Sequence, residues 1–292
     1  MNEILLTIII PTHNRPQLLP RAVNSALAQT IDSSFEVIVV DDCSSQPINL
    51  PEHPRLRIIR LPKNRGVSAA KNVGAKAAKG RWISYLDDDD ELLPNMAEIS
   101  IEALKNTELP KPVAVLSGIE VIGKEGKVIQ TRIPPTLSRG SYFGIEEIKP
   151  SQSFYSKQTL VIEKEVFLSI GGFDESYSSR ETTELFLRLN PVCSILGIPQ
   201  ITYKSIEHEE FRLSGDRTQR QTAFNHLVEK HRKTFIAHPK GFANLIFNHA
   251  ITSYKIGQTK AAAKNLAWAM KVHPVHTLAR LGSPLKQSLL KS

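Results

Sequence analysis

The chain has 292 residues, 41% hydrophobic and 23% charged, with a formal net charge of +8. That balance excludes wholesale disorder and a collagen-like fibre, and the length suits one large α/β domain or a smaller one with an appended module. Cys43 and Cys193 lie far apart with no CxxC or Cys/His clustering, which argues against a disulfide scaffold and a structural zinc site and favours a reducing compartment.

Leu5-Leu6-Thr7-Ile8-Ile9-Ile10 is a β-branched run ended by Pro11, as expected of a strand buried on both faces. It is far shorter than the roughly 18 residues that span a bilayer. Glu3 stands where a signal peptide has basic residues, so a cytoplasmic protein is expected. Pro16 to Gln29 places Leu18, Leu19, Ala22, Val23, Ala26 and Leu27 at helical spacing. Phe35 to Val40 reads as a second buried strand, stopped by the turn-forming Asp41-Asp42-Cys43-Ser44-Ser45. Arg57 to Leu61 predicts a third strand, and Ser68 to Lys79 an alanine-rich helix with Gly80 as its C′ residue. Trp82 to Leu86 is a fourth strand running into Asp87-Asp88-Asp89-Asp90. Strands alternating with helices predict a mostly parallel sheet with right-handed crossovers.

Further along, Val113 to Val121 and Gly126 to Arg132 read as strands, and Pro134 to Phe154 as a long connection or mobile loop. Leu160 to Ile162 predicts a strand and Lys164 to Ile170 a short helix. Ser178-Ser179-Arg180-Glu181 has the Ser-x-x-Glu spacing of a capping box, opening a helix over Glu181 to Leu189. Everything beyond Thr218 reads as helical.

The charge is unevenly placed. From Lys230 onward there are 11 Lys or Arg and no Asp or Glu, whereas the preceding 229 residues hold 26 basic and 29 acidic side chains. The shift marks a change of module. Ala250, Gly257, Ala262, Leu266, Ala269 and Pro274 fit the spacing of one tetratricopeptide-like repeat. Basic residues interleaved with Phe235, Phe242, Phe247, Trp268 and Leu278 predict peripheral docking at an anionic membrane surface. No nucleic acid partner is expected, because no binding motif accompanies the charge.

The acidic run Asp87 to Asp90 follows an apolar strand directly, and in open α/β sheets ligands gather beyond the carboxyl ends of strands. Carboxylates this close repel one another unless a cation shares their charge. Hard oxygen donors suit Mg²⁺ or Mn²⁺, held through one or two carboxylates plus substrate phosphates. Asp41-Asp42 is a second acidic strand end.

Four segments in order, Ile8 to Arg15, Phe35 to Asp42, Asn64 to Gly74 and Gly80 to Asp90, resemble the opening of family 2 glycosyltransferases with the GT-A fold. The resemblance is continuous over about residues 1–105 and weaker to about 217. It implies a nucleotide-sugar-binding half (1–105), an acceptor-binding half (106–217) and, beyond them, a basic helical tail (218–292). The implied fold is α/β and Rossmann-like, its mostly parallel sheet flanked by helices, with a C-terminal helical extension. The implied reaction moves a sugar from a nucleotide-sugar, a UDP-sugar above all, to a saccharide or lipid-linked acceptor with inversion and a divalent metal.

Residue by residue, the resemblance gives Pro11, Thr12 and Asp42 to the nucleobase, with Asp41 supporting their turn. Lys71, where the family usually has arginine, pairs with the diphosphate. Asp87 to Asp89 form the DXD-type motif, Asp88 facing the sugar or ribose and Asp89 the metal, and His208 falls where a metal or diphosphate contact is found. Gly171 to Glu175 and Glu181 to Arg188 are similar to the acceptor-side signature. Its catalytic base position is Thr182 here, and a threonine hydroxyl cannot take a proton near neutral pH. The role passes to the adjacent Glu181, with Glu184 one turn on. A catalytically impaired nucleotide-sugar-binding or scaffold protein is the alternative that Thr182 raises. A nucleotidyltransferase would need a Gly-rich basic phosphate loop where this chain has Pro-Thr-His-Asn-Arg.

Overall fold

The computed structural model describes residues 4–207 and 219–289. Among these, residues 4–141 and 148–207 make one compact unit, and residues 142–147 and 219–289 a second.

The first unit is α/β. It opens with β1 (Leu6–Thr12), α1 (Leu19–Leu27), β2 (Phe35–Asp41), β3 (Leu56–Arg60), α2 (Val67–Ala77) and β4 (Trp82–Tyr85). There follow β5 (Glu91–Leu92), α3 (Met96–Asn106), β6 (Val113–Ile122), β7 (Val128–Arg132), β8 (Val161–Glu163), α4 (Lys164–Ser169), α5 (Glu181–Leu189) and β9 (Ser194–Ile206). The sheet runs β3-β2-β1-β4-β8-β6-β9-β5, with β7 paired to β6. β1, β2, β3 and β4 are mutually parallel, as are β6 and β9. Every antiparallel pair involves β5, β7 or β8. The α/β architecture is the one the sequence predicts.

β1 and β2 are buried along their whole length, which is why their sequences are continuous apolar runs. Their two polar intruders satisfy each other. Thr7 Oγ1 donates to Glu36 Oε1 at 2.9 Å, and Glu36 also accepts from the Lys79 amide and from Arg57 Nε. Ile8, Ile10, Val37 and Val39 pack with Ala22, Val23 and Ala26 of α1 and Ala97 and Ile101 of α3 in one core. In register, Thr12 lies opposite Asp41, and Ile9 opposite Tyr85. The strand ends carrying Pro11-Thr12, Asp41-Asp42 and Asp87 to Asp90 therefore share one edge of the sheet.

Two local expectations are corrected. Gly80 is not a helix C′ residue: α2 stops at Ala77, and Ala78 is extended. A Cβ on Gly80 would lie 2.6 Å from the Leu6 carbonyl carbon, so glycine is there to let the chain approach β1. The capping box at Ser178 is also absent. The residue before α5 is Arg180, in a left-handed conformation (φ 66°), and no side chain caps the helix. Glu181 is thus the first helical residue. α3, β5 and β9 occupy stretches for which the sequence pattern predicts no element. β9 contains Gly197 and Pro199, and its register against β6 shifts around Gly118, so no clean alternation survives. The 134–154 connection is irregular, tied by bridges from Leu137 to Ile195 and from Ile133 to Gln152.

The second unit holds α6 (Gln219–Lys230), α7 (Arg232–Ala237), α8 (Pro239–Lys255), α9 (Thr259–Val272) and α10 (Pro274–Leu289). α8 and α9 form a hairpin whose turn uses Gly257 at φ 82°. Small Ala250, Ala262 and Ala269 are buried, and Phe242 stacks on Phe235 with centroids 4.7 Å apart while meeting Trp268 edge-on. Gln221 Oε1 sits between buried His249 Nε2 (3.1 Å) and Asn265 Nδ2 (2.8 Å). The segment 142–147 belongs to this unit. Phe143 and Ile145 are buried there and Glu147 pairs with Lys240. Among the described residues no helix is long and apolar enough to cross a membrane.

Candidate functional site

The acids at the end of β4 are each engaged differently. Asp87 carries the most exposed of the four side chains, 37%, and accepts from Lys71 Nζ at 3.1 Å. Asp88 accepts from Thr12 Oγ1 at 2.6 Å and from Arg15 Nη1 at 3.1 Å. Asp89 accepts from the same Arg15 Nη1 at 2.8 Å, and its carbonyl oxygen from Arg21 Nη2. Asp90 is structural: it receives the Tyr203 hydroxyl and the Ile206 amide, each at 2.9 Å, which ties β9 to this strand end.

Burial dominates the titration of Asp88, pushing it up to about 6 although Thr12 and Arg15 pull the other way. Two basic side chains, Lys71 and Arg15, pair with this run of acids.

Lys71 is buried on α2 rather than displayed on its surface. Burial works against its charge, but Asp87 and then Glu181 outweigh it and raise the ammonium above its ordinary value. The same nitrogen lies 5.6 Å from the Phe173 ring centroid. Lys71 thus stands in the electrostatic field of both the β4 acids and the first turn of α5.

Asp41 and Asp42 hold the loops beside them. Asp41 accepts from the Ser44 amide and from Arg60 Nη1 at 2.7 Å, a turn-supporting role. Asp42 Oδ1 and Oδ2 accept from the Arg65 and Gly66 amides at 2.8 and 2.7 Å, fixing the entry to α2. Pro11 and Thr12 end β1 beside them, Asp42 donating its amide to the Thr12 carbonyl.

Before α5, Asn72 clasps the Gly171–Glu175 turn. Its side chain donates to the Phe173 carbonyl at 2.8 Å and accepts from the Phe173 amide at 2.9 Å. Glu181 accepts from the Thr182 hydroxyl at 3.2 Å. Lys157, in a 3₁₀ turn over Lys157–Thr159, donates to Thr183 Oγ1 at 3.0 Å and feels both Arg180 and Glu181. Burial, then Arg180, lowers Lys157 to about 8. Glu184 is fully buried and paired with Arg188. His208 lies outside the described residues.

The structure thus brings together Pro11, Thr12, Asp41, Asp42, Lys71 and Asp87 to Asp89, with Glu181 coupled to them through Lys71. Arg15, Asn72 and Lys157 carry no role in the sequence pattern, although Arg15 ends the Pro-Thr-His-Asn-Arg segment three residues past β1. Among the described residues no three His, Cys, Asp or Glu side chains form a cage for a metal. The hard oxygens of Asp87 and Asp89 nonetheless fit a divalent cation that takes its remaining ligands from a diphosphate, the usual way Mg²⁺ is held.

The family model described as glycosyl transferase family 2 matches residues 7–169, which contain all the strand-end acids. An uncharacterized glycosyltransferase of Haemophilus influenzae is 28% identical over 235 residues, covering 79% of this chain and 78% of that protein. The succinoglycan biosynthesis protein ExoO of Rhizobium meliloti is 33% identical over 139 residues, 46% of this chain but only 38% of ExoO's own length. Among solved structures, S. aureus TarS 1–349 in complex with UDP-GlcNAc superposes with a TM-score of 0.67 at 16% identity, covering 94% of this chain and 83% of that one. That likeness shows the shared GT-A fold. The chain belongs to glycosyl transferase family 2 and is a glycosyltransferase.

Proposed function

We propose that the enzyme transfers a sugar from a UDP-sugar to a hydroxyl of a saccharide or lipid-linked glycan, with inversion, and that Glu181 is its general base. The observation that carries this reading is the Asp87–Lys71–Glu181 arrangement. Lys71 is paired with Asp87 at 3.1 Å and electrostatically coupled to Glu181, which relates the acids of β4 to the first turn of α5. That TarS was solved with UDP-GlcNAc and that ExoO is named for succinoglycan biosynthesis support a nucleotide-sugar donor and a glycan product.

Pro11, Thr12 and Asp42 would flank the nucleobase, Asp88 the ribose or sugar, and Lys71 the diphosphate. Mg²⁺ or Mn²⁺, held by Asp89 with Asp87 beside it, would supply positive charge against the departing diphosphate. Glu181 takes the proton of the acceptor hydroxyl as its oxygen bonds to the anomeric carbon. The carbon–oxygen bond to the diphosphate breaks on the opposite face, releasing UDP and inverting the centre. The capping role that would have occupied Glu181 is absent, since α5 begins at that residue without a side-chain cap. The helical unit, basic and free of acids from Lys230 onward, would hold the enzyme at an anionic membrane surface where a lipid-linked acceptor resides.

The test is turnover of a UDP-sugar panel with Mn²⁺ and saccharide acceptors, by wild type and Glu181→Gln. Wild-type transfer, lost by at least about 100-fold in kcat for the variant with UDP affinity retained, supports the reading. UDP binding without hydrolysis or transfer for any donor overturns it in favour of a binding module.

A further inference from the structure

One guanidinium nitrogen, Arg15 Nη1, contacts Asp88 Oδ1 at 3.1 Å and Asp89 Oδ2 at 2.8 Å. It bridges two carboxylates that are themselves only 9% and 8% exposed, and the Arg15 side chain is 19% exposed. The second carboxylate oxygen of Asp88 is held by Thr12, so this aspartate is fixed on both sides. A monovalent cation belonging to the chain therefore lies between the acids whose repulsion a divalent cation would otherwise relieve.

We propose that Arg15 is a built-in counter-cation of the acidic strand end, a positioning residue that keeps free metal out and couples metal entry to the donor diphosphate. The inference rests on the reading of Asp89 as the cation-holding acid. Without nucleotide, a divalent cation must displace a guanidinium already paired with two carboxylates, where among the described residues no three acids, His or Cys form a cage. A diphosphate changes both sides of that balance. Its oxygens complete the coordination of the cation, and its negative charge gives the displaced guanidinium a new anionic partner within reach of a flexible side chain. Metal and nucleotide binding are then reciprocally coupled, each tightening the other by the same factor. Arg21, paired with Glu91 and with the Asp89 carbonyl, keeps the Asp89 backbone in place while Arg15 moves.

The experiment measures Mn²⁺ binding by electron paramagnetic resonance, with and without UDP, for wild type, Arg15→Gln and Arg15→Lys, and for each with Asp89→Asn added. In wild type, Mn²⁺ alone binds weakly and UDP tightens it. Arg15→Gln removes the competing charge, so Mn²⁺ alone binds roughly tenfold more tightly, and its enhancement by UDP shrinks by a similar factor. Arg15→Lys keeps the charge and behaves as wild type, which separates charge from mere loss of packing. Equal affinity of wild type and Arg15→Gln for free Mn²⁺, with Asp89→Asn abolishing binding in both, overturns the role of Arg15 and leaves the Asp89 reading standing. Binding indifferent to Asp89→Asn overturns both. Circular dichroism confirms the fold of each variant, and Arg15→Lys with weaker Mn²⁺–UDP coupling than wild type also counts against the proposal.

Discussion

Arg188 grips Glu184 in a bidentate pair one helical turn apart on α5, with Nε to Oε1 at 2.7 Å and Nη2 to Oε2 at 2.5 Å. The same guanidinium donates to the carbonyls of Ile170 and Gly172, so it fastens α5 to the Gly171–Glu175 turn. Glu184 is completely buried. Of the two glutamates on this helix, one is committed to the fold and the other, Glu181, stands at the helix start with a hydroxyl neighbour. Substituting them separates the roles. Glu184→Ala leaves the half-buried Arg188 guanidinium without its carboxylate and costs about 3 kcal/mol, read as a lower urea midpoint. Glu181→Gln leaves the midpoint within about 0.5 kcal/mol of wild type while transfer collapses. Equal destabilisation by both would assign Glu181 to structure.

The N-terminal part of the α/β unit is legible in the sequence because β1 and β2 are buried along their length and β2 runs into acids. Ile8 to Pro11 and Val37 to Asp42 carry pattern and chemistry in the same few residues. The part beyond α3 is not, for particular reasons. β9 is interrupted by Gly197 and Pro199 and bulges against β6, so its 13 residues show no alternation. Ser178 and Glu181 have the right spacing for a cap, but Arg180 turns left-handed between them. Lys157 lies in a three-residue turn after an irregular stretch, and nothing in sequence places it near residue 181. Arg15 sits within a recognisable motif, yet its bridge to Asp88 and Asp89 spans more than 70 residues and exists only once β1 and β4 pair.

Lys157 is held where its charge is costly. Burial and Arg180 lower it from 10.5 to about 8, so between those two pH values the unfolded chain keeps a proton that the folded chain has released. Stability therefore rises with pH across that window, and below pH 8 the penalty is present in full, on the order of 3 kcal/mol. Lys157→Met is expected to be more stable than wild type at pH 7, by a margin that narrows as pH rises toward 10. Urea denaturation at pH 7 and pH 10 measures it. A variant less stable than wild type at pH 7 would mean that the ammonium's partners outweigh its burial. The same variant should lose transfer while binding UDP normally, since Lys157 is hydrogen-bonded to Thr183 and sits in the field of Arg180 and Glu181.

Asn72 joins the two halves of the α/β unit through a paired amide clasp on Phe173, whose ring lies over Lys71. Asn72→Ala strips partners from a buried amide and carbonyl, a loss of about 1–3 kcal/mol. Gly172 is the counterpart. It has φ 67°, and a Cβ there would lie 2.5 Å from Asn72 Oδ1, so Gly172→Ala is both strained and obstructed. Both variants should weaken acceptor-dependent turnover more than UDP affinity, because the turn they disturb leads into α5 and Glu181. A titration calorimetry measurement showing UDP affinity lost in step with turnover would place the damage in the donor site.

Lys260, Lys264 and Lys271 are exposed on α9 at helical offsets of four and seven, which puts them in one stripe along the helix. No acid interrupts it, since none occurs after Glu229. Exposed Val275 and Leu278 follow on α10, apolar groups of the kind that enter a headgroup layer beside a basic stripe. Each lysine near an anionic surface is worth about 1 kcal/mol at physiological salt, so replacing all three by glutamine removes about 3 kcal/mol, roughly a hundredfold in vesicle affinity. Flotation with phosphatidylserine-containing vesicles should show that loss, along with weaker wild-type binding as salt is raised. Binding to purely zwitterionic vesicles should be absent throughout. If the triple variant floats as well as wild type on anionic vesicles, the α9 stripe is not what holds this unit to the surface.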